Sequence, residues 1–273
     1  MNARVKQVLS DAHPFRVLAR GAIAALRVGS YPWRVSIGAV QRPPYGYIVY
    51  NAASLAARLG YPRISVVEFG VAGGNGLIQL ERHAQQAGRH FGIEVEVYGF
   101  DTGIGLPTPR DYRDLPYLWQ EGFYAMDVAK LQSQLQLAKL VLGDVESTSR
   151  TFFERFNPAP IGAVSHDFDF YSSTVAALTL FEADERHFLP RVFNYFDDIL
   201  GGEIELYNDY TGERLAIAEF NDRHPDRKFS QAYYLLAKSV LQPWYHGIRI
   251  CHFFKHPDYD KFIGSLAHQM PIA

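Results

Sequence analysis

Through the middle of the chain, apolar runs of strand length alternate with stretches whose apolar positions recur at helical spacing. ISVVEFG, residues 64–70, is continuously apolar up to an acid and predicts a strand covered on both faces. GLIQLERHAQQAG (76–88) has one apolar and one polar face, a helix that Gly88 is expected to stop. EVEVYGFD (94–101) alternates and closes on an acid, as a second strand should. A loop rich in Pro and Gly follows, then the helix MDVAKLQSQLQ (126–136) and a short strand, AKLVLGD (138–144). After TSRTFFERF (148–156), IGAVSHDFD (161–169) reads as a strand, SSTVAALTLFEADERHFL (172–189) as a helix and RVFNYFDD (191–198) as a strand. RLAIAEFNDRH (214–224) predicts another helix, and QAYYLLAKSVLQPWYHGIRICHFFKH (231–256) a late helix with an edge strand. Strands and helices taking turns imply an α/β fold with a parallel sheet, whose ligands gather at the carboxyl ends of the strands.

Composition narrows the class. A hydrophobic fraction of 48% with 21% charged residues excludes a disordered chain. The single cysteine, Cys251, excludes an internal disulfide and points to a reducing compartment, the cytoplasm. No apolar run reaches the roughly eighteen residues of a membrane span, and arginines interrupt any signal-peptide core. Residues 1–42 carry seven Lys/Arg against one acid, so the remainder has a net charge of −8. This basic helical extension, residues 1–45, precedes the main domain at 46–273. It is either a solvated helix packed by VLARGAIAAL (17–26) or an arm for an acidic partner or anionic surface, and it could serve a homo-oligomer. The aromatic tail lacks the positive groove of a nucleic-acid surface.

The chemistry concentrates in VVEFGVAGGNG, residues 66–76, with four glycines in seven residues after a strand. A P-loop is closed to it, because no Lys-Ser or Lys-Thr follows. A dinucleotide fingerprint counted from Gly74 and Gly76 puts Gln79 at the third glycine position, which weakens it. Acid-x-Gly-x-x-x-Gly, here Glu68 to Gly74 through Gly70 and Gly73, suits S-adenosylmethionine, with Glu68 near its ammonium group. Asp101 is placed to accept a ribose diol, with Thr102 beside it, and Asp144 with Val145 to reach the adenine. Glu68 and Asp144 have a plainer alternative as acids in turns. RPPYGY (42–47) is either a rigid turn or a cover over the cofactor, and WQEGFYAM (119–126) either a lid or core.

Together YGFDTGIGLP, GFYAMDVAKLQSQL, LVLGDVEST, HDFDFYSST and FDD resemble, in their order, the macrocin-type O-methyltransferases, relatives of the catechol enzymes. The family's F-D-S-F-E-G-L-P stands as F-D-T-G-I-G-L-P over Phe100 to Pro107. Its D-G-D-x-Y-x-S-T stands as D-F-D-F-Y-S-S-T over Asp167 to Thr174. The resemblance spans roughly residues 61–225. It implies a Rossmann-like class I methyltransferase fold, a seven-stranded mostly parallel sheet with helices on both faces. It further implies an S-adenosylmethionine-dependent O-methyltransferase acting on a small-molecule hydroxyl of sugar or natural-product type. Mg²⁺ would be held by Asp167, Asp197 and Asp198, a hard ion on oxygen ligands. Asp167 and His166 are the catalytic candidates, although strand alternation turns His166 away from Asp167 toward packing. Ser172 or Ser173 could cap the next helix. Two departures stand out: Ile199 and Leu200 replace the usual aromatic, and GGEIELYNDYTGE (201–213) is additional, offering Asn208 and Asp209 as a rival pair. An NAD-dependent oxidoreductase and a cofactor-binding module without turnover are the alternative readings.

Overall fold

The computed structural model describes residues 14–238 and 241–264. Their strands are β1 (Arg63–Phe69), β2 (Glu94–Asp101), β3 (Lys139–Leu142), β4 (Ile161–His166), β5 (Phe188–Phe196), β6 (Arg227–Gln231) and β7 (Ile248–Phe253). The helices are α1 (Pro14–Leu26), α2 (Tyr31–Ser36), α3 (Pro43–Leu59), α4 (Asn75–Phe91), α5 (Val128–Gln134), α6 (Val145–Phe156), α7 (Tyr171–Leu178), α8 (Gly212–Arg223) and α9 (Tyr233–Leu236).

All seven strands form one sheet in the order β3-β2-β1-β4-β5-β7-β6. Strands β1 to β5 pair in parallel, whereas β7 runs antiparallel to both β5 and β6. The central strands are covered on both faces, so β4 is buried at every position and β1 at all but Arg63. Alternate side chains serve two cores. Val66 and Ala163 pack with Ile48, Ala52, Leu77 and Leu80 of α3 and α4. On the opposite face Val67, Phe69 and Val164 meet an aromatic layer containing Phe152, Phe181, Phe220 and Phe253. The expected α/β sheet with helices on both faces is therefore present.

Several boundaries differ from the sequence reading. Helix α4 continues through Gly88, where a Cβ would stand 2.8 Å from the Ile93 carbonyl, and stops at Gly92, with φ +69. Gly88 thus permits a close approach instead of ending the helix. The long helix expected over 172–189 is confined to α7, because Asp184 takes the Arg186 amide and starts a separate turn that leads into β5. The tail's strand β7 lies inside the sheet, and the edge is β6, which the sequence reading left out. In RPPYGY, Arg42 is a left-handed N-cap and helix α3 begins at Pro43, so residues 45 and 46 lie within one helix. Tyr31, Val35 and Val40 belong to the main core as well. The start of the basic arm, residues 1–13, lies outside the described residues. The 201–213 stretch adds no strand.

Candidate active site

The exits of β1, β2, β4 and β5 meet at one cavity of about 400 Å³, within the range of small-molecule sites. Beyond β1, the Gly70 amide donates to the Phe100 carbonyl (3.0 Å), while the Asp167 amide donates to the Phe69 carbonyl (3.0 Å). Gly70 has φ +79, and a Cβ there would overlap the Asp167 carbonyl oxygen. Bare backbone is what allows the two exits to touch. Asp101, ending β2, joins two loops: its Oδ2 accepts the Ala72 amide (2.8 Å) and its Oδ1 the Gly103 amide (2.7 Å). Each oxygen retains a second lone pair for a ligand. Thr102 Oγ1 donates to the Gly105 carbonyl (2.9 Å), tightening the following turn. Asp144 is the N-cap of α6 and accepts the Ser147 amide (2.9 Å).

Of the residues expected from sequence, Gly70, Asp101, Thr102, Asp144, Val145, Asp167, Asp197 and Asp198 line this cavity. Glu68, Gly73, Gly74 and His166 do not. Glu68 lies beneath, fully buried: the Tyr45 hydroxyl donates to its Oε1 (2.6 Å), while Oε2 has no hydrogen-bond partner. Burial pushes its carboxyl up to about 8, although the Tyr45 hydrogen bond pulls the other way. Gly76 belongs to the same arrangement, since a Cβ there would overlap Glu68 Oε1. Gly74, with φ +82, begins α4 against Leu131.

The expectation of a general base at His166 does not hold in this geometry. Its ring stacks face to face on Phe196 (4.1 Å between centroids, 4° between planes) and is fully buried. Nε2 pairs with Asn194 Oδ1 at 3.1 Å, and burial lowers its pKa to about 3. A neutral ring inside the aromatic core has no path to a substrate.

The remaining acids gather at one wall, where Asp167, Asp169, Asp197 and Asp198 line the cavity together. Burial, and then the charges of Asp197 and Asp198, push the Asp167 carboxyl up; burial, then Asp169 and Asp197, do the same to Asp198. The Asp198 amide donates to buried Glu213 (3.0 Å), and Tyr207 donates to Asp198 Oδ1 (2.8 Å), leaving Oδ2 without a partner. Tyr195 donates to Asp197. The rival pair is placed elsewhere: Asp209 pairs with Arg214, and Asn208 Oδ1 accepts the Tyr210 amide within its own turn. Among the described residues, no three His, Cys, Asp or Glu side chains converge closely enough to hold a metal ion.

Trp119 and Tyr124, from the stretch expected to be lid or core, line the cavity with Arg110. Their segment is fastened by Asp114, which sequence reading missed. This buried carboxylate accepts the Arg110 amide (2.8 Å), the Ser172 amide (2.8 Å) and the Ser172 hydroxyl (2.9 Å). Neither Ser172 nor Ser173 caps α7, because its first turn receives this acid from another part of the chain. No local spacing marks Asp114 as a link to α7, since Ser172 lies 58 residues away. Asp169 did have a signal, the second acid of D-F-D.

The sequence matches no family model and no curated protein. Among solved structures it is similar to the calicheamicin methyltransferase CalS11, at 18% identity over 91% of this chain and 89% of that one, with a TM-score of 0.52. The O-methyltransferase NovP aligns at 14% identity over 77% and 79%, with a TM-score of 0.49. The CalS11 likeness shows the fold, the Rossmann-like α/β sheet of class I methyltransferases. In this sheet β7 stands between β5 and β6, where a dinucleotide-binding sheet continues directly.

Proposed function

We propose that the protein is an S-adenosylmethionine-dependent O-methyltransferase acting on a hydroxyl of a small molecule, of sugar or natural-product type. The observation that carries the reading is the convergence of the glycine loop, Asp101, Asp144 and an acid wall on one cavity at the β1/β4 exits. The residues suit the cofactor. Asp101 has lone pairs for a ribose diol, and Asp144 and Val145 flank the adenine side. At Gly70 and Ala72 the glycine loop offers backbone to the amino-acid arm, and Glu68, whose Oε2 has no partner, lies near the end of the strand before it.

When bound, the cofactor supplies an electrophilic methyl on a sulfonium, which an acceptor oxygen displaces. Positioning of the two reactants is then the main task of the chain. Trp119 and Tyr124 enclose the acceptor. Asp167 takes the hydroxyl proton, its carboxyl poised by burial and by the neighbouring acids.

Mg²⁺ assistance is the finer part of the reading. The carboxylate oxygens of Asp167, Asp197 and Asp198 fit a hard cation in donor chemistry, and the orphaned Asp198 Oδ2 asks for a positive partner. Their spacing in this structure closes no three-ligand set. A cation held there would lower the pKa of an acceptor hydroxyl. Chelator sensitivity of turnover, reversed by Mg²⁺, is the expected result, and full turnover in chelator would remove the ion from the proposal.

No helix among the described residues is long and apolar enough to cross a membrane. The cytoplasm, and assembly into a homo-oligomer, belong to the same proposal. They rest on the buried Cys251 thiol and on the exposed face of α1.

The test of the reading is calorimetric titration of S-adenosylhomocysteine, with NAD as control. Saturable micromolar binding of the first and none of the second is expected. No binding of S-adenosylhomocysteine, with or without Mg²⁺, would overturn the proposal.

A further inference from the structure

One cation beside the cavity, next to its lining residue Asp167, has no part in the chemistry above. Arg42 immediately precedes α3 and holds a left-handed backbone, φ 43 and ψ 72. That is an uncommon and strained conformation for a residue with a side chain, and more so before a proline. Its guanidinium lies over the Tyr45 ring (5.2 Å), and Nη1 donates to the Tyr45 hydroxyl (3.3 Å). The same Nη1 is 3.9 Å from Asp167 Oδ2, beyond hydrogen-bond reach. Tyr45 in turn donates its hydroxyl hydrogen bond to Glu68 Oε1, near the end of β1. The strained turn therefore holds one guanidinium between the exits of β1 and β4.

Its surroundings are one-signed. Glu68, Asp167 and Asp197 all stand near enough to act on Arg42 electrostatically. Arg110, the cation that lines the cavity itself, comes from the segment after β2. Within the described residues the Arg42 side chain makes no hydrogen bond except the one to Tyr45, and it is 39% exposed. The Arg42 carbonyl opens α3 by accepting the Tyr45 (3.0 Å) and Gly46 (3.2 Å) amides, but the loose, half-exposed pair with Asp167 adds little stability, so the guanidinium has no strong partner of its own.

The amino-acid arm of an S-adenosyl compound carries an ammonium and a carboxylate on one carbon. Acids at these exits suit the ammonium, but the same acids would repel the carboxylate unless a cation attends it. A guanidinium answers this with two parallel N–H donors matched to two carboxylate oxygens. We infer that Arg42 is a cofactor-positioning residue, pairing with the α-carboxylate of the amino-acid arm and turning the sulfur toward the acid wall. The inference rests on the S-adenosyl reading of the cavity.

The experiment compares S-adenosylhomocysteine with 5′-methylthioadenosine, which keeps the adenosine and the sulfur but lacks the amino-acid arm. Both are titrated calorimetrically into the full chain, as wild type, Arg42→Gln and Arg42→Lys. Arg42→Gln should weaken S-adenosylhomocysteine by about tenfold or more and leave methylthioadenosine within about twofold. Arg42→Lys, a point charge without the fork, should fall between. Unchanged S-adenosylhomocysteine affinity in Arg42→Gln overturns the inference. Equal weakening of both ligands overturns it too, because Arg42 would then shape the fold and not hold the arm. If wild type binds neither compound, the cofactor reading itself fails before any variant is compared, and the inference falls with it.

Discussion

At the scale of single residues, Gly70 and Asp167 form one unit. The β1 and β4 exits approach so closely that a methyl group at Gly70 would strike the Asp167 carbonyl, and φ +79 adds backbone strain for any other residue. Gly70→Ala should therefore destabilise the protein by about 2 kcal/mol or more, read as the shift of a urea midpoint. An unshifted midpoint would show that the exits have room to spare. Asp167→Asn is expected to lower turnover by about 100-fold with any working acceptor, while S-adenosylhomocysteine binding stays near wild type. Equal turnover in both proteins would remove the proposed proton acceptor. These residues were legible because acids and glycines at strand ends are read from order alone. Glu68 was legible as a strand-end acid but not as a buried one, since its cover, Tyr45, comes from a helix 23 residues earlier. His166 was ambiguous for a definite reason: alternation predicts its face, but only the packed sheet shows Phe196 stacked on it.

At the scale of elements, two connections hold the site in shape. Asp114 fastens the segment after β2 to the first turn of α7, accepting two hydrogen bonds from Ser172 and one from the Arg110 amide. Asp114→Ala leaves two part-buried amides without their acceptor, and a loss of about 1 kcal/mol or more is expected. Amide exchange should also accelerate in residues 102–127; unaltered protection there would mean the segment is held by something else. The second connection is Tyr45 of α3 to Glu68 of β1. A carboxyl raised to about 8 in the folded state binds a proton that the unfolded chain, near 4.5, has released. Its contribution to stability is complete below about pH 4.5 and is lost as pH rises through 8, at about 1.4 kcal/mol per pH unit. The stability of wild type relative to Glu68→Gln should thus fall between pH 5 and 8. A pH-independent difference between the two proteins would place a charged carboxylate at Glu68. The strands β1, β2, β4 and β5 were legible from apolar runs. The position of β7 was not, because a strand's place in a sheet depends on pairing across the fold rather than on its own residues.

At the scale of the whole molecule, charge and topology divide the chain. The first 42 residues are basic and the rest acidic. Helix α1 presents Phe15, Leu18 and Leu26 to solvent at helical spacing. If this stripe joins copies of the chain, light scattering should give a multiple of 30.9 kDa, and Phe15→Ser with Leu18→Ser should reduce it to one chain. A monomeric wild type would contradict assembly through α1. The parallel sheet was legible because alternating strands and helices admit few other arrangements. The acid wall was legible only in part: Asp167, Asp197 and Asp198 end their strands, but the Tyr207 and Glu213 that hold Asp198 come from the inserted stretch.

The central claim is that an S-adenosyl ligand lies along the exits of β2, β1 and β4 in that order, and a crystal structure with S-adenosylhomocysteine tests it directly. The account predicts the ribose diol on Asp101, the adenine beside Asp144 and Val145, and the sulfur facing Asp167. Density for the ligand elsewhere, or a soaked cavity with none at full ligand excess, would contradict it.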